Sequence, residues 1–121
     1  MLIDAPCSGT GVMLSKPDVK YRVSAQSLKE LQETQRAILE ACSAYVKRGG
    51  VLVYSTCSIL PEENAQQVQA FLAAHPEFKL EGLENRLPET LKERVEEGML
   101  QLLPHRDHLE GFFIARMVRK D

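Results

Sequence analysis

The stretch GGVLVYSTCSILPEENAQQV, residues 49–68, reads as a helix stop, a strand, a polar turn and the start of a further helix in one run. Gly49 and Gly50 supply the stop. Val51–Tyr54 is a continuous apolar run, the pattern of a strand covered on both faces. Pro61 suits the first position of a helix, and Glu62 and Glu63 favour its positive end. The helix it opens carries Ala65, Val68, Phe71 and Leu72 inward and stops before Pro76.

Toward the N-terminus, Leu28, Leu31, Ile38, Leu39, Cys42 and Val46 fall near one face of an expected helix. Ser27 and Glu30 have capping-box spacing at its start, and Lys47 and Arg48 suit the dipole at its end. Met1–Ile3 reads as a short buried strand running into DAPCSGTG, residues 4–11, where Gly9 and Gly11 serve a tight turn. Toward the C-terminus, Phe78–Leu80 is a strand candidate and Glu89–Glu97 a charged, solvated helix. Met99–Leu103 and Gly111–Val118 read as an antiparallel hairpin with a longer loop. The order β-α-β-α followed by a hairpin predicts an α/β layered domain in which parallel strands are followed by one reversed strand.

Composition bounds the possibilities. At 121 residues and 44% hydrophobic content the chain suits one domain with its own core. A net charge of −2 gives no global basic field, so any nucleic-acid contact comes from a local patch. Three cysteines with no short-spaced pair argue against a disulfide framework and for a reduced, cytoplasmic setting. The sequence shows no signal-peptide pattern, and no apolar stretch approaches the ~18 residues of a membrane span. Internal repeats, low-complexity tracts and linkers are likewise not apparent.

Cys7 follows the first expected strand and Cys57 the second, so neighbouring parallel strands would deliver both thiols to one sheet edge. Ligands of such sheets gather outside the carboxyl ends of the strands. Cys42, on the apolar face of a helix, reads as a small buried hydrophobe. Pro6, Ser8 and Gly9 flank Cys7, and Ser55, Thr56 and Ser58 flank Cys57; backbone N–H groups and hydroxyls there favour the nucleophilic thiolate. Other cysteine and phosphate motifs do not fit. A phosphatase-type loop needs arginine where Met13 stands, and a P-loop needs lysine where Val12 stands. His105-Arg106-Asp107 imitates a kinase catalytic loop but meets Phe112 where asparagine is required. His105 and His108 lack paired-ligand spacing with the thiols, so no metal is expected. Lys16, Lys20 and Arg22, interrupted by Asp18, form a candidate phosphate-binding patch.

DAPCSGTG, KPDVKYR, GGVLVYSTCSILPEENAQQV, LLPH and GFFIARM occur in the order seen in RNA cytosine-5 methyltransferases of the RsmB/Sun (Fmu) type, and the chain resembles that family over nearly its whole length. The resemblance implies the C-terminal half of a class I, Rossmann-like, S-adenosylmethionine-dependent methyltransferase fold. Residues 1–121 then form a single partial methyltransferase domain without the N-terminal strands and the glycine-rich cofactor loop. By resemblance Cys57 is the nucleophile, Cys7 resolves the covalent adduct, and Asp4 lies at the cofactor. RNA is the implied partner, small-subunit ribosomal RNA in particular, reached by a base that leaves its stack. The family's paired arginines before Pro-Asp are replaced by Leu14, Ser15 and Lys16, a departure that bears on how the loop grips RNA.

Expectations follow for the isolated chain. Without a cofactor loop it is inactive alone, and an uncovered sheet edge at Met1–Ile3 favours self-association. Two other classes stay open: a non-catalytic interaction module derived from the fold, and a thiol redox protein using Cys7 and Cys57.

Overall fold

A computed structural model describes residues 1–10, 25–83, 87, 89–92, 94–96, 98–103 and 111–120. In chain order they form β1 (Leu2–Asp4), α1 (Ala25–Ser43), β2 (Val51–Thr56), α2 (Ala65–Ala74), β3 (Phe78–Leu80), α3 (Glu89–Lys92), β4 (Val95–Glu96), β5 (Met99–Leu102) and β6 (Phe112–Arg119). The strands make one mixed sheet in the order β1-β2-β6-β5-β4, with β3 also paired to β6. β1 and β2 are parallel, with Ile3 opposite Tyr54 and Asp4 opposite Ser55. β6 runs antiparallel to β2, placing Ala115 opposite Tyr54 and Met117 opposite Leu52. The expected C-terminal hairpin is β5 and β6, with Leu100 opposite Ile114. The fold is the mixed α/β arrangement read from the sequence.

Residues directly opposite one another in a sheet share a face, and this sorts the core. Ile3, Leu52, Tyr54, Phe113, Ala115 and Met117 line one face and pack against Leu39 of α1 and Val68 and Phe71 of α2. Leu100, Phe112 and Ile114 lie on the other face with Leu83, Leu91 and Val95. The second layer covers only the β5 side. Val51 and Val53 are therefore half-buried while Leu52 and Tyr54 are fully enclosed, which corrects the expectation that β2 is covered on both faces.

Several boundaries differ from the sequence reading for local reasons. α1 begins at Ala25, so Ser27 lies inside it and is not its N-cap; Glu30 instead accepts a hydrogen bond from Gln26 at 3.1 Å. α1 ends at Ser43, whose hydroxyl donates to the Glu40 carbonyl at 2.8 Å, and tight turns carry the chain past Lys47 and Arg48. Those cations lie beyond the helix. Gly49, with φ of 76°, donates its N–H to the Arg119 carbonyl, and the Arg119 N–H returns to Gly50, so the turn is stitched to the end of β6.

α2 begins at Ala65 rather than Pro61, because residues 61–64 form turns that send Glu63 and Asn64 inward. The expected charged helix over Glu89–Glu97 is a single turn, α3, after which β4 pairs Val95 with Leu100; burying Leu91 and Val95 against the second core layer outweighs the helical charge pattern. No helix among the described residues is long and apolar enough to cross a membrane.

Candidate active site

Beyond the ends of β1 and β2 the two chains stay side by side, held by the Ala5 N–H bonded to the Ser55 carbonyl at 2.9 Å. The loop after β1 turns at Gly9, whose φ of 73° favours glycine. Cys7 and Cys57 then meet: their Sγ atoms are 3.1 Å apart and both are half-buried free thiols. Burial, followed by the hydrogen bond with Cys57, pushes the Cys7 thiol up to about 12. Cys7 therefore keeps its proton at neutral pH, and either sulfur can serve as the donor in the contact between them. Cys42 stands apart, packed from α1 against the main core, as expected.

The pairing is braced by the residues that follow each cysteine. Ser8 gives its N–H to Glu63 Oε1 at 2.8 Å and its hydroxyl to Glu63 Oε2 at 2.7 Å. The Ser58 hydroxyl donates to the same Oε2. Gln35 adds a bond to Glu63 Oε1 at 3.2 Å while also holding the Pro6 carbonyl at 2.9 Å, and Gln67 bonds Gln35 in turn at 3.2 Å. One buried carboxyl thus ties both cysteine loops to both long helices.

Asn64 secures the second loop from its other side. It accepts from the Thr56 hydroxyl at 2.6 Å and donates to the Ser58 carbonyl and to Gln101 Oε1, each at 2.8 Å. Thr10 joins the loops directly, accepting the Ile59 N–H at 3.0 Å. The Tyr54 hydroxyl reaches the Glu63 carbonyl at 2.7 Å, and burial, then the nearby Glu63, hold the phenol well above its ordinary range. The polar groups enclosed here have partners, as a low-dielectric site requires.

Sequence reading placed Cys7, Cys57 and Asp4 at one edge, and the described geometry brings them there. Asp4 ends β1, exposed, opposite Ser55. Its free carboxyl is chemically suited to a cationic or hydroxyl-bearing group. Lys16, Lys20 and Arg22 lie outside the described residues, as do His105 and His108. No cluster of metal-ligating side chains occurs among the described residues. A recess of about 280 Å³ runs beside the Cys57 loop along Ile59, Asn64, Met99, Gln101 and Phe113, and neither cysteine lines it.

The bracing residues escaped the sequence reading. Glu63 passed for a helix-dipole charge, and Ser8 and Ser58 for generic polar flanks. A signal was present in Gln35, four residues before Leu39 and four after Leu31, where it interrupts the apolar stripe of α1. A polar side chain in a core stripe has to find buried partners.

The model of the family described as 16S rRNA methyltransferase RsmB/F matches residues 1–118. The chain belongs to that family. It is 46% identical over 121 residues to a protein of Bacillus subtilis named probable ribosomal RNA small subunit methyltransferase B, covering 99% of this chain and 27% of the relative. The Yersinia pseudotuberculosis ribosomal RNA small subunit methyltransferase B is 44% identical over 120 residues, covering 99% of this chain and 26% of its own. The chain therefore spans about a quarter of the length of these RsmB relatives. The crystal structure of NSun6 from Pyrococcus horikoshii with SFG superposes with a TM-score of 0.76 at 28% identity, covering 99% of this chain and 29% of that one. The fold is that of the Rossmann-like methyltransferases.

Proposed function

We propose that these residues carry the thiol chemistry of an S-adenosylmethionine-dependent rRNA cytosine-C5 methyltransferase, with Cys57 as nucleophile. The observation that carries this reading is the 3.1 Å approach of Cys7 Sγ to Cys57 Sγ at the carboxyl ends of parallel strands. Cytosine C5 is a weak nucleophile. Addition of a thiolate at C6 makes the ring enamine-like, so that C5 becomes electron-rich.

Cys57 adds to C6 as the thiolate. Cys7, held as a thiol by burial and by Cys57, gives its hydrogen bond to that sulfur before attack and again as it departs. After methyl transfer the C5 proton passes to a solvent water, the C5–C6 double bond re-forms and the C6–S bond breaks, and stabilising the departing Cys57 thiolate is how Cys7 resolves the adduct. Glu63, through Ser8 and Ser58, fixes the two sulfurs in register so that little ordering remains to be done.

S-adenosylmethionine, when bound, supplies the electrophilic methyl group. Among the described residues, Asp4 is suited to it, as an exposed carboxyl at the same sheet edge as the thiols. The cofactor reading is supported by the relative solved with SFG, an analogue of S-adenosylmethionine. In this reading the 121-residue chain, which spans about a quarter of the relatives' length, does not transfer methyl groups by itself. Lys16, Lys20 and Arg22 contact RNA phosphates in this reading, and the names of the relatives point to small-subunit ribosomal RNA.

The test is product analysis. A protein of the relatives' full length carrying these residues, incubated with S-adenosylmethionine and small-subunit rRNA, is expected to yield 5-methylcytidine after nuclease digestion. Methylation at an exocyclic nitrogen or at a ribose would overturn the reading.

A further inference from the structure

The two thiols that face each other across the loops are 50 residues apart in sequence, unbonded, and held 3.1 Å sulfur to sulfur. Both are half-buried, so a small oxidant reaches them while a large protein surface does not. The residue after each cysteine is anchored on the same carboxyl, that of Glu63, so neither loop swings away from the other at low cost. We propose that Cys7 and Cys57 are a reversible redox modification site, at which a hydroperoxide joins them in an intramolecular disulfide and a dithiol separates them again.

The chemistry balances in two steps. The Cys57 thiolate attacks a hydroperoxide oxygen; the S–O bond forms, the O–O bond breaks, and the departing oxygen takes up a proton as water or alcohol. The Cys7 sulfur then attacks the Cys57 sulfenic sulfur. Its S–H proton is lost, the S–S bond forms, the S–O bond breaks, and the hydroxyl leaves as water. Two thiols are oxidised by two electrons, and the hydroperoxide takes both. In the reverse direction a dithiol attacks one sulfur, passes through a mixed disulfide and closes to its own cyclic disulfide, returning both cysteines as thiols.

Geometry favours this outcome over the alternatives. A disulfide bond is about 2.05 Å long, so the sulfurs have roughly 1 Å to travel, within reach of small side-chain rotations. Capture of the sulfenic acid by a neighbour already in contact outruns further oxidation by a second hydroperoxide. Cys42 packs against the main core from α1 and takes no part. The consequence for methyl transfer rests on the function proposed above, because a sulfur held in a disulfide has no thiolate to add to C6. The modification itself needs neither RNA nor cofactor.

The test uses the chain and its Cys42→Ser and Cys7→Ser variants, treated with hydrogen peroxide, alkylated and mapped without reduction. In the parent and Cys42→Ser chains, a peptide joining Cys7 to Cys57 is expected, with two alkylatable thiols lost and both regained after dithiothreitol. Cys7→Ser is expected to give no intramolecular link and to leave Cys57 as sulfinic or sulfonic acid. Over-oxidised Cys57 beside free Cys7 in the parent chain would overturn the proposal, as would links confined to Cys42 or to a second chain. Covalent capture of a C6-reactive cytosine by the reduced full-length protein is read separately. A disulfide without capture overturns the nucleophile reading alone, and capture without a disulfide overturns this proposal alone.

Discussion

Ser8 donates both its backbone N–H and its hydroxyl to the carboxyl of Glu63, 55 residues further along the chain, at 2.8 and 2.7 Å. The Glu63 carboxyl also accepts the Ser58 hydroxyl, so the residues following Cys7 and Cys57 share one acceptor. The distance between the thiols is thereby set from behind the reacting surface, by a side chain that meets neither sulfur in a hydrogen bond. Truncating it leaves several enclosed donors without a partner. Glu63→Ala is expected to cost about 3 kcal/mol in urea unfolding, with Glu63→Gln milder because its amide oxygen still accepts. A shift under about 0.5 kcal/mol for the alanine variant would show that water replaces the carboxyl freely.

Tyr54 tests the other end of the same residue. Its hydroxyl supplies the Glu63 carbonyl with a hydrogen bond inside the core, and burial keeps the phenol un-ionised across the physiological range. Tyr54→Phe keeps the ring and its edge-on contact with Phe113 while removing the donor. The expected loss is about 1–2 kcal/mol by denaturant titration, with Cys57 alkylation little changed.

Thiol reactivity separates the cysteines without any RNA. Cys7 is pushed up to about 12 by burial and by Cys57, so it alkylates slowly at neutral pH. In a Cys42→Ser chain, iodoacetamide labelling followed by peptide mapping is expected to find Cys57 modified first. Faster labelling of Cys7 would reverse the roles given to the two sulfurs.

His75 gives the stability of the chain a pH dependence. Partial burial lowers its pKa, but hydrogen bonds to Glu40 at 2.7 Å and Glu77 at 3.1 Å outweigh this and raise it above the ordinary imidazole range. The imidazole also stacks on Phe71 of α2 with centroids 4.4 Å apart, and its bond to Glu40 joins the end of α2 to α1. A raised folded-state pKa means that the contribution is fully present below the unfolded value and is lost as pH rises through the folded one. Glu77 is lowered, by its own backbone N–H first and by His75 next, so its share is present above its unfolded value and lost as pH falls through the folded one. The Tm difference between the parent and His75→Gln is expected to be largest in the mildly acidic window between these limits and to shrink toward pH of about 8. A difference that grows with pH would contradict the assignment.

Much of the architecture was legible because its signals were local. The apolar run beginning at Val51 and the stop of α2 before Pro76 mark element boundaries by local signals, whereas Gly49 lies beyond the end of α1 at Ser43 and serves the turn into β2 instead of stopping the helix. Cys7 and Cys57 could be placed together because parallel strands fix which ends meet. What escaped depends on contacts distant in sequence. The Ser27 and Glu30 spacing is equally compatible with a helix interior, and Glu63 reads as surface charge until Ser8 and Gln35 are brought to it. Glu89–Glu97 was misjudged for a similar reason, since the partner that makes Val95 a strand residue is Leu100 across a turn at Gly98, where φ is 82°.

The most direct measurement is covalent capture of RNA bearing a C6-reactive cytosine analogue by a protein of the relatives' full length carrying these residues, compared with its Cys57→Ala and Cys7→Ala variants. With Cys57 as nucleophile and Cys7 as the residue that eases its departure, Cys57→Ala captures nothing, whereas Cys7→Ala captures and releases slowly. Equal capture by both variants, or capture that survives loss of Cys57, would contradict the account.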